Sequence, residues 1–280
     1  PRGHGFLIMA DIRPDGSVAM TMKSVSINII GKDGKENVSV ELGELVCDTS
    51  IWEITKDYGP VLSFSTYNNC IHTFCDPAIY ETGTGFEGDY EFVIVNMEKD
   101  ARHAMLKGKK RGAYVRMSRV PEGTDYGLYL DDVTHFQDSI LPAKAVNYDL
   151  LTVGDSLFKV EKISSGIPNI YPYDGDAVAD ENWHPYLITK LDGKYHLRFR
   201  SAIGIGDIKV QEFIYDETSS QFVSVENDAV RLTGPDPVAF FADAAEKHTW
   251  NWVVSKSAMS ADIYEKYAAI NTEGGKLKDK

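Results

Sequence analysis

Short segments in which apolar and polar residues alternate, separated by turn-forming residues, dominate this sequence. Such segments flank Pro14-Asp15-Gly16 within residues 5–30, and they flank Asp192-Gly193 within residues 184–200. Alternation with period two places every second side chain on one face of a β-strand, and an Asp-Gly pair between two such segments is typical of a β-hairpin. This pattern constrains the fold most strongly, because it predicts antiparallel strands joined by short turns.

The same alternation predicts further strands along the chain. Most are five to eight residues long with short connections, which is typical of antiparallel meanders. We therefore predict a mainly β protein whose meanders form a lipocalin-like barrel or a sandwich, with the barrel expected before residue 137. The predicted strands are 50–55, 61–67, 69–74, 89–96, 112–118, 156–163, 209–215 and 221–225.

Helical patterns are few and short, and they lie in the C-terminal half. Asp236-Pro237 is suited to begin a helix over 237–247, and Ser260 is suited to cap one over 260–270. Residues 136–151 have little periodicity and are interrupted by Pro142, which indicates a connection. We therefore expect an N-terminal antiparallel β domain over 1–137, a connection over 138–154, and a C-terminal β domain over 155–280 that two helices cover.

The charge of the chain argues against several classes of function. Its 280 residues carry a net charge of −13, and such a surface repels nucleic-acid phosphates and anionic membranes. No stretch approaches the roughly 18–20 apolar residues that a membrane-spanning helix needs. The most basic short run, 107–111, is interpreted as a solvated hairpin turn rather than an anion site. We expect no nucleic-acid partner.

Residues 59–77, GPVLSFSTYNNCIHTFCDP, contain two of the three cysteines and a histidine. If 69–74 is a strand, Cys70 and His72 lie on one face and Cys75 lies on the other, so the three cannot easily bind one metal ion. The set also lacks the fourth ligand and the Cys spacing of structural zinc sites. We interpret His72 as a structural residue and retain it as a candidate for ligand binding.

Residues 171–186, YPYDGDAVADENWHPY, combine aromatic and acidic side chains in one loop. Aromatic rings stack on the apolar faces of sugars, although the same composition is typical of a loop that packs on a β-core. The acidic residues do not have the spacing of an EF-hand, but they are a candidate calcium site. The candidate ligand-binding residues are Tyr171, Tyr173, Trp183 and His184, and the candidate calcium ligands are Asp174, Asp176, Asp180 and Glu181.

Three ordered motifs carry a family resemblance: YGPVLSFSTYNNCIHTFCDP at 58–77, GDYEFVIV at 88–95 and LKGKKRG at 106–112. Together they resemble domain-of-unknown-function family 4302, a family of Bacteroidetes cell-envelope lipoproteins. DGSVAMTM and VQEFIYDETSSQF, at 15–22 and 210–222, resemble the flanking segments of the family. The resemblance therefore covers most of the chain.

The resemblance implies a compartment rather than a chemistry. It implies an extracytoplasmic protein that a lipid anchor holds at the outer membrane or cell surface, often encoded beside starch-utilisation-type importers, with no enzymatic activity attached to the family. Because the numbered chain begins at Pro1, we expect the signal peptide and the lipid-modified cysteine to lie upstream. The membrane is then a partner only through that anchor.

Two main classes of function stay open. The first is a non-catalytic binding or accessory protein for glycan or nutrient capture, with a glycan or an outer-membrane protein as its partner and no cofactor. The second is an extracellular hydrolase of polysaccharide or peptide, with acid/base groups from His72, Asp89, Glu91 or residues 174–184. A purely structural envelope protein is a third alternative. No Gly-x-Ser-x-Gly, His-Glu-x-x-His, P-loop or dinucleotide motif is present, which favours the first class.

Overall fold

A computed structural model describes residues 5–32, 35–57, 59–79, 86–140, 150–154, 156–163, 166–172, 184–205, 207–233 and Glu265. The chain divides into two units, 1–235 and 236–280. In the second unit only Glu265 is described, as a helical and exposed residue, so the helices predicted over 237–247 and 260–270 otherwise lie outside the described residues. The elements below all belong to the first unit.

The N-terminal strands form two antiparallel sheets that share one core. The first sheet has the order β1-β2-β3, and the second has the order β4-β5-β6-β7-β8. Buried Val18, Met20 and Met22 of the first sheet pack with Leu62 and Phe92 of the second, so the arrangement is sandwich-like. The strands are β1 Ile8–Ile12, β2 Ser17–Lys32, β3 Lys35–Ile51, β4 Glu53–Lys56, β5 Pro60–Ser63, β6 Glu91–Met97, β7 His103–Gly108 and β8 Tyr114–Ser118.

Eight further strands form an antiparallel barrel. Each pairs with the next along the chain, and the last, β16, pairs with the first, β9, so the ladder closes on itself. Its core includes Ile188, Leu197, Phe199, Phe213 and Phe222, all of which are at most 1% exposed. The strands are β9 Leu150–Val153, β10 Ser156–Ile163, β11 Gly166–Pro172, β12 His184–Leu191, β13 Lys194–Ile205, β14 Ile208–Asp216, β15 Gln221–Ser224 and β16 Val230–Thr233.

The prediction of a mainly β, antiparallel fold is confirmed, but the barrel was expected in the wrong part of the chain. The closed ladder contains residues 150–233, whereas the strands before residue 137 form the two separate sheets. The N-terminal strands form two sheets because the chain passes from the first sheet to the second between β3 and β4, at Trp52. Trp52 is held there because its backbone N–H donates to the Gly16 carbonyl and its indole N–H donates to the Arg13 carbonyl.

The two Asp-Gly turns that the sequence predicts are present. They join β1 to β2 and β12 to β13. Gly16 and Gly193 have φ angles of 87° and 78°, a left-handed conformation that glycine adopts without steric strain. The Asp15 carboxylate accepts hydrogen bonds from the backbone N–H and the hydroxyl of Ser17. Local turn chemistry therefore determines both hairpins.

The strand predicted over 69–74 is wrong. These residues begin with the short helix α1, Asn69–His72, and continue as a turn. Asn68 explains the difference because its side-chain oxygen caps α1 by accepting the Cys70 N–H, while its side-chain amide donates to the Asp48 carbonyl and the Ser50 hydroxyl. Asn68 is completely buried. A buried helix cap therefore outweighs the strand-like alternation of the sequence.

Helix α2, Tyr126–Ile140, contacts both the first sheet and the barrel. No helix was predicted here, and residues 136–151 were interpreted as a connection. The first turn of α2 is capped by the Asp125 carboxylate, which accepts the Leu128 N–H. Toward the sheet, Asp131 forms an ion pair with Lys23. Toward the barrel, Phe136 stacks on Tyr195 with ring centroids 3.6 Å apart.

Phe136 also contacts Tyr215 and Phe222, near the two turns that join β12 to β13 and β14 to β15. Those turns lie at the same end of the barrel, so α2 covers that end. Across the described residues, no helix is both long enough and apolar enough to cross a membrane.

We expect Phe136→Ala to lower the free energy of unfolding by about 3–5 kcal/mol, because it removes a buried ring from the barrel core. Urea unfolding followed by tryptophan fluorescence measures the change. Leu128→Ala is the matched control on the same helix. Leu128 is 69% exposed, so its change should stay within about 0.5 kcal/mol. Equal effects of the two substitutions would contradict the packing of α2 on the barrel.

Candidate functional site

His72 lies between two tyrosine rings. The ring centroids of Tyr67 and Tyr90 are 5.1 and 4.9 Å from that of His72. The His72 Nδ1 accepts a hydrogen bond of 3.1 Å from the backbone N–H of Asn68. Burial lowers the pKa of the His72 imidazole, so the ring is neutral at pH 7. Among the described residues, no carboxylate is hydrogen-bonded to it, and this geometry does not include an acid/base pair.

The three cysteines are free thiols. Burial raises the pKa values of Cys70 and Cys75 to about 11, so both thiols stay protonated at neutral pH. A protonated thiol is a poor nucleophile and a poor metal ligand. Cys47 is exposed, and its sulfur lies 3.5 Å from the Thr21 hydroxyl.

Most residues of the predicted ligand-binding loop lie outside the described residues. His184 is described, and it begins β12 as a buried side chain whose ring is 6.4 Å from that of Phe199. Tyr171 lies in β11, where only the backbone is described. Within the described part of the chain, no group of three or more His, Cys, Asp or Glu side chains could hold a metal ion. Outside it lie Tyr173, Trp183, Asp174, Asp176, Asp180 and Glu181.

Residues 107–113, here called the basic turn, comprise the last two residues of β7 and the connection to β8, at the position of the predicted hairpin turn. They also enclose an anion, because the buried Asp89 carboxylate accepts the backbone N–H groups of Lys110, Arg111 and Ala113 at 3.0–3.2 Å. Successive N–H groups around a carboxylate form an anion-binding nest. At Gly108 a Cβ atom would lie 1.9 Å from Asp89 Oδ2, so this position requires glycine.

Asp89 and Glu91, the candidate carboxylate pair, have separate partners. Asp89 binds the backbone of the basic turn, whereas Glu91 lies 3.8 Å from Lys109 Nζ. The same Lys109 Nζ is 2.7 Å from Asp57. The two carboxylates therefore bind different groups of the basic turn and do not act together on one reacting group.

A groove lies between the β7–β8 hairpin and strands β12–β14, and it contains two clefts. The aromatic cleft is about 470 Å³ and is lined by Met105, Tyr114, Pro185, Arg200 and Ser201. The ionic cleft is about 380 Å³, and its charged lining includes Arg102, Arg116, Arg119, Asp192, His196 and Glu212. The clefts adjoin, because Met105 and Arg116 are register partners on β7 and β8. Ligand sites typically measure about 300–1,000 Å³.

Glu212 is the centre of the ionic cleft and is buried. Its carboxylate accepts hydrogen bonds from Arg116 Nη1 at 3.1 Å, from His196 Nδ1 at 2.9 Å and from Arg198 Nη1. Burial alone raises the pKa of this carboxyl, but the hydrogen bond from His196 and the charges of Arg116 and Arg198 outweigh it and lower the pKa to about 2. Glu212 is therefore ionised throughout the physiological pH range.

In this environment Glu212 is suited to a structural role and not to acid/base catalysis. A general acid or base needs a pKa near the working pH, and that of Glu212 is about 2. Its oxygen atoms are already occupied by three cationic or imidazole donors. Because Arg116 comes from β8 and the other two partners come from β13, the carboxylate joins the second sheet to the barrel.

The aromatic cleft presents exposed polar and aromatic side chains to solvent. Tyr114 is 58% exposed, and Lys107 Nζ lies 5.8 Å from its ring centroid. Arg200 and Ser201 are exposed, and no described residue is hydrogen-bonded to either side chain. An exposed ring beside guanidinium and hydroxyl groups offers an apolar stacking surface and orienting hydrogen bonds at one site.

Sequence reasoning missed this groove, although one signal pointed to it. In the predicted hairpin strand HLRFR, His196, Arg198 and Arg200 alternate with the buried Leu197 and Phe199. A strand with three basic side chains on its outer face indicates a charged surface that needs a partner. Their carboxylate, Glu212, could not be identified from spacing, because only the fold brings it to them.

Comparison with protein families supports the resemblance carried by the motifs. The family model described as "Domain of unknown function (DUF4302)" matches residues 6–217, a span that includes both N-terminal sheets and most of the barrel. No curated protein and no solved structure matches the chain.

We expect Asp89→Asn to destabilise the protein by about 1–3 kcal/mol, because the amide cannot accept all the N–H groups of the basic turn and leaves buried donors unsatisfied. Denaturant unfolding measures the loss, and amide hydrogen exchange at Lys110 and Arg111 should accelerate. Asp57→Asn is the control, since its pair with Lys109 is about 40% exposed and contributes at most about 0.5 kcal/mol. Unchanged exchange in Asp89→Asn would refute the nest.

Glu212→Gln should cost roughly 2–4 kcal/mol at pH 7, because it leaves partly buried guanidinium groups without their counter-ion. The folded pKa is depressed to about 2 from 4.5, so this stabilisation is present above about pH 4.5 and is lost as the pH falls toward 2. Between pH 6 and pH 3 the advantage of the wild type over Glu212→Gln should shrink by about 1 kcal/mol after allowance for solvent screening.

Urea titrations at each pH test this expectation. Asp192→Asn, which removes the exposed partner of Arg102 in the same cleft, is the matched control and should show no such pH dependence. A constant difference between wild type and Glu212→Gln from pH 6 to pH 3 would contradict the depressed pKa.

Proposed function

The chain belongs to the DUF4302 family, a domain of unknown function, and we propose from its groove that it is a non-catalytic binding protein whose ligand is a glycan. The observation that carries the proposal is the exposed Tyr114 ring beside the exposed Arg200 and Ser201 side chains. An exposed ring stacks on the C–H face of a sugar, and the flanking donors hydrogen-bond its hydroxyl groups. A cleft of about 470 Å³ accommodates a ligand of this kind.

The chemistry of the candidate acid/base groups supports binding over hydrolysis. Glu212 stays ionised and is saturated with donors. Asp89 is buried in the nest of the basic turn. His72 is neutral and held by the Asn68 backbone. Each of these groups is already hydrogen-bonded within the protein, and none of them lines the aromatic cleft.

The adjoining ionic cleft supports a polymeric ligand rather than a single small molecule. Arg119 is exposed there, and no described residue pairs with its guanidinium. Asp192 is exposed as well and forms an ion pair with Arg102. Sugar hydroxyl groups both donate and accept hydrogen bonds, so a glycan uses carboxylates and guanidinium groups equally. A chain of several sugar units would extend from one cleft into the other.

The proposal includes a place in the cell. We propose that the protein acts outside the cytoplasm, held at the outer membrane or cell surface by a lipid anchor, as an accessory to nutrient capture in Bacteroidetes. The support is the sequence resemblance at 58–77, 88–95 and 106–112. Membrane fractionation of cells that express the native gene, with and without protease treatment of intact cells, tests this placement. Recovery of the protein in the cytosolic fraction would contradict it.

Isothermal titration of the purified chain against a panel of soluble polysaccharides tests the binding function. We expect at least one glycan to bind without release of reducing ends. Tyr114→Ala should weaken that binding by about 10-fold or more, equivalent to about 1.4 kcal/mol. Tyr67→Ala is the matched control, because Tyr67 is 61% exposed and does not line the groove. Measurable product would favour the hydrolase, and a panel without any binder would overturn the proposal.

A further inference from the structure

Positive charge gathers beside the aromatic cleft, although the protein as a whole carries a net charge of −13. Lys107, Lys110 and Arg111 of the basic turn are exposed, and so is Arg200 in the cleft. No ion-pair partner of these four side chains lies among the described residues. Lys109 differs, because Asp57 and Glu91 neutralise it. A patch of exposed cations on an acidic protein has a marked local potential.

The basic turn and the cleft belong to one surface. Lys107 and Tyr114 are register partners on β7 and β8, and Lys107 Nζ lies 5.8 Å from the Tyr114 ring that lines the cleft. Met105, which also lines the cleft, precedes Lys107 by two residues and therefore shares its face of β7. A ligand stacked on Tyr114 is thus within reach of a lysine on one side and of Arg200 within the cleft.

The turn is also preorganised. The buried Asp89 carboxylate fixes the backbone N–H groups of Lys110, Arg111 and Ala113, so the backbone needs no ordering when a ligand arrives. Because those N–H groups surround Asp89, its charge is satisfied internally. The side chains of Lys110 and Arg111 remain exposed to solvent. Preorganised groups lose less entropy on binding.

Resting on the binding function proposed above, we propose that the aromatic cleft and the basic turn select acidic glycans, whose sugars carry carboxylate or sulfate groups. The Arg200 guanidinium has the planar donor geometry that carboxylate and sulfate oxygens accept. Lys107, Lys110 and Arg111 supply the attraction along the chain, while Tyr114 stacks on the sugar ring. Selection between acidic and neutral glycans then depends on these cations, and affinity for any glycan depends on Tyr114.

Isothermal titration with polygalacturonate, chondroitin sulfate and neutral dextran, each at 50 and 300 mM NaCl, tests this selectivity. We expect an acidic glycan to bind at least about 10-fold more tightly than dextran at 50 mM NaCl and to weaken at 300 mM. Exposed cation–anion contacts are screened over this range of ionic strength. The polygalacturonate and chondroitin sulfate arms distinguish carboxylate from sulfate recognition.

Three variants assign the selectivity to named residues. The double substitution Lys110→Glu with Arg111→Glu should lower affinity for the acidic glycan about 10-fold and leave dextran affinity unchanged. Arg200→Gln should also lower affinity for the acidic glycan about 10-fold and should weaken dextran binding less, because its amide still donates to sugar hydroxyl groups. Lys194→Glu is the matched control, because this exposed lysine lies on the same strand as Arg200 but about 20 Å away along it. It should alter affinity by less than about 2-fold. Circular dichroism and thermal unfolding verify that each variant is folded.

The outcomes separate the two proposals. Binding of dextran with equal or weaker binding of both acidic glycans would overturn the charge selectivity and leave the glycan-binding function standing. Absence of binding to all three, and to the wider panel, would overturn both. Equal affinity for single-stranded DNA and for the acidic glycans would also overturn the inference, because attraction by charge alone would then replace recognition of a sugar.

Discussion

The groove depends on one buried carboxylate. Glu212 binds Arg116 from the second sheet together with His196 and Arg198 from the barrel, and so it joins two parts of the fold that have separate hydrophobic cores. A buried ion pair contributes little net stability when desolvation is counted, but removal of one partner is costly. Its main effect here is therefore positional: the β7–β8 hairpin is held beside β13, and the two clefts lie along that junction.

A second internal anion shapes the rim of the groove. Asp89 binds the backbone of the basic turn, whereas Glu212 binds side chains. The two carboxylates act in opposite ways. Asp89 leaves the cationic side chains of the turn exposed to solvent or ligand, whereas Glu212 neutralises the cationic side chains that surround it in the ionic cleft. The surface that results is cationic at the aromatic cleft and balanced in the ionic cleft. Such a division of charge suits a ligand that is recognised at the aromatic cleft and extends into the ionic cleft.

Local chemistry made much of the fold predictable. The Asp-Gly turns and most strands followed from alternation, and the mainly β, antiparallel class followed from them. The prediction failed at 69–74, where the buried Asn68 caps a helix, and at α2, whose first turn is capped by Asp125. The position of the closed ladder could not be predicted because pairing of β16 with β9 joins segments about 80 residues apart. The role of Glu212 could not be predicted for the same reason, whereas the alternation of His196, Arg198 and Arg200 was visible in the sequence.

Hydrogen–deuterium exchange with and without polygalacturonate tests most directly whether the groove is the binding surface. The account predicts slower exchange in 103–118 and 196–201 on addition of the glycan, with little change in 60–79, the segment around His72. Protection confined to 60–79, or equal protection across the chain, would contradict the assignment of the groove.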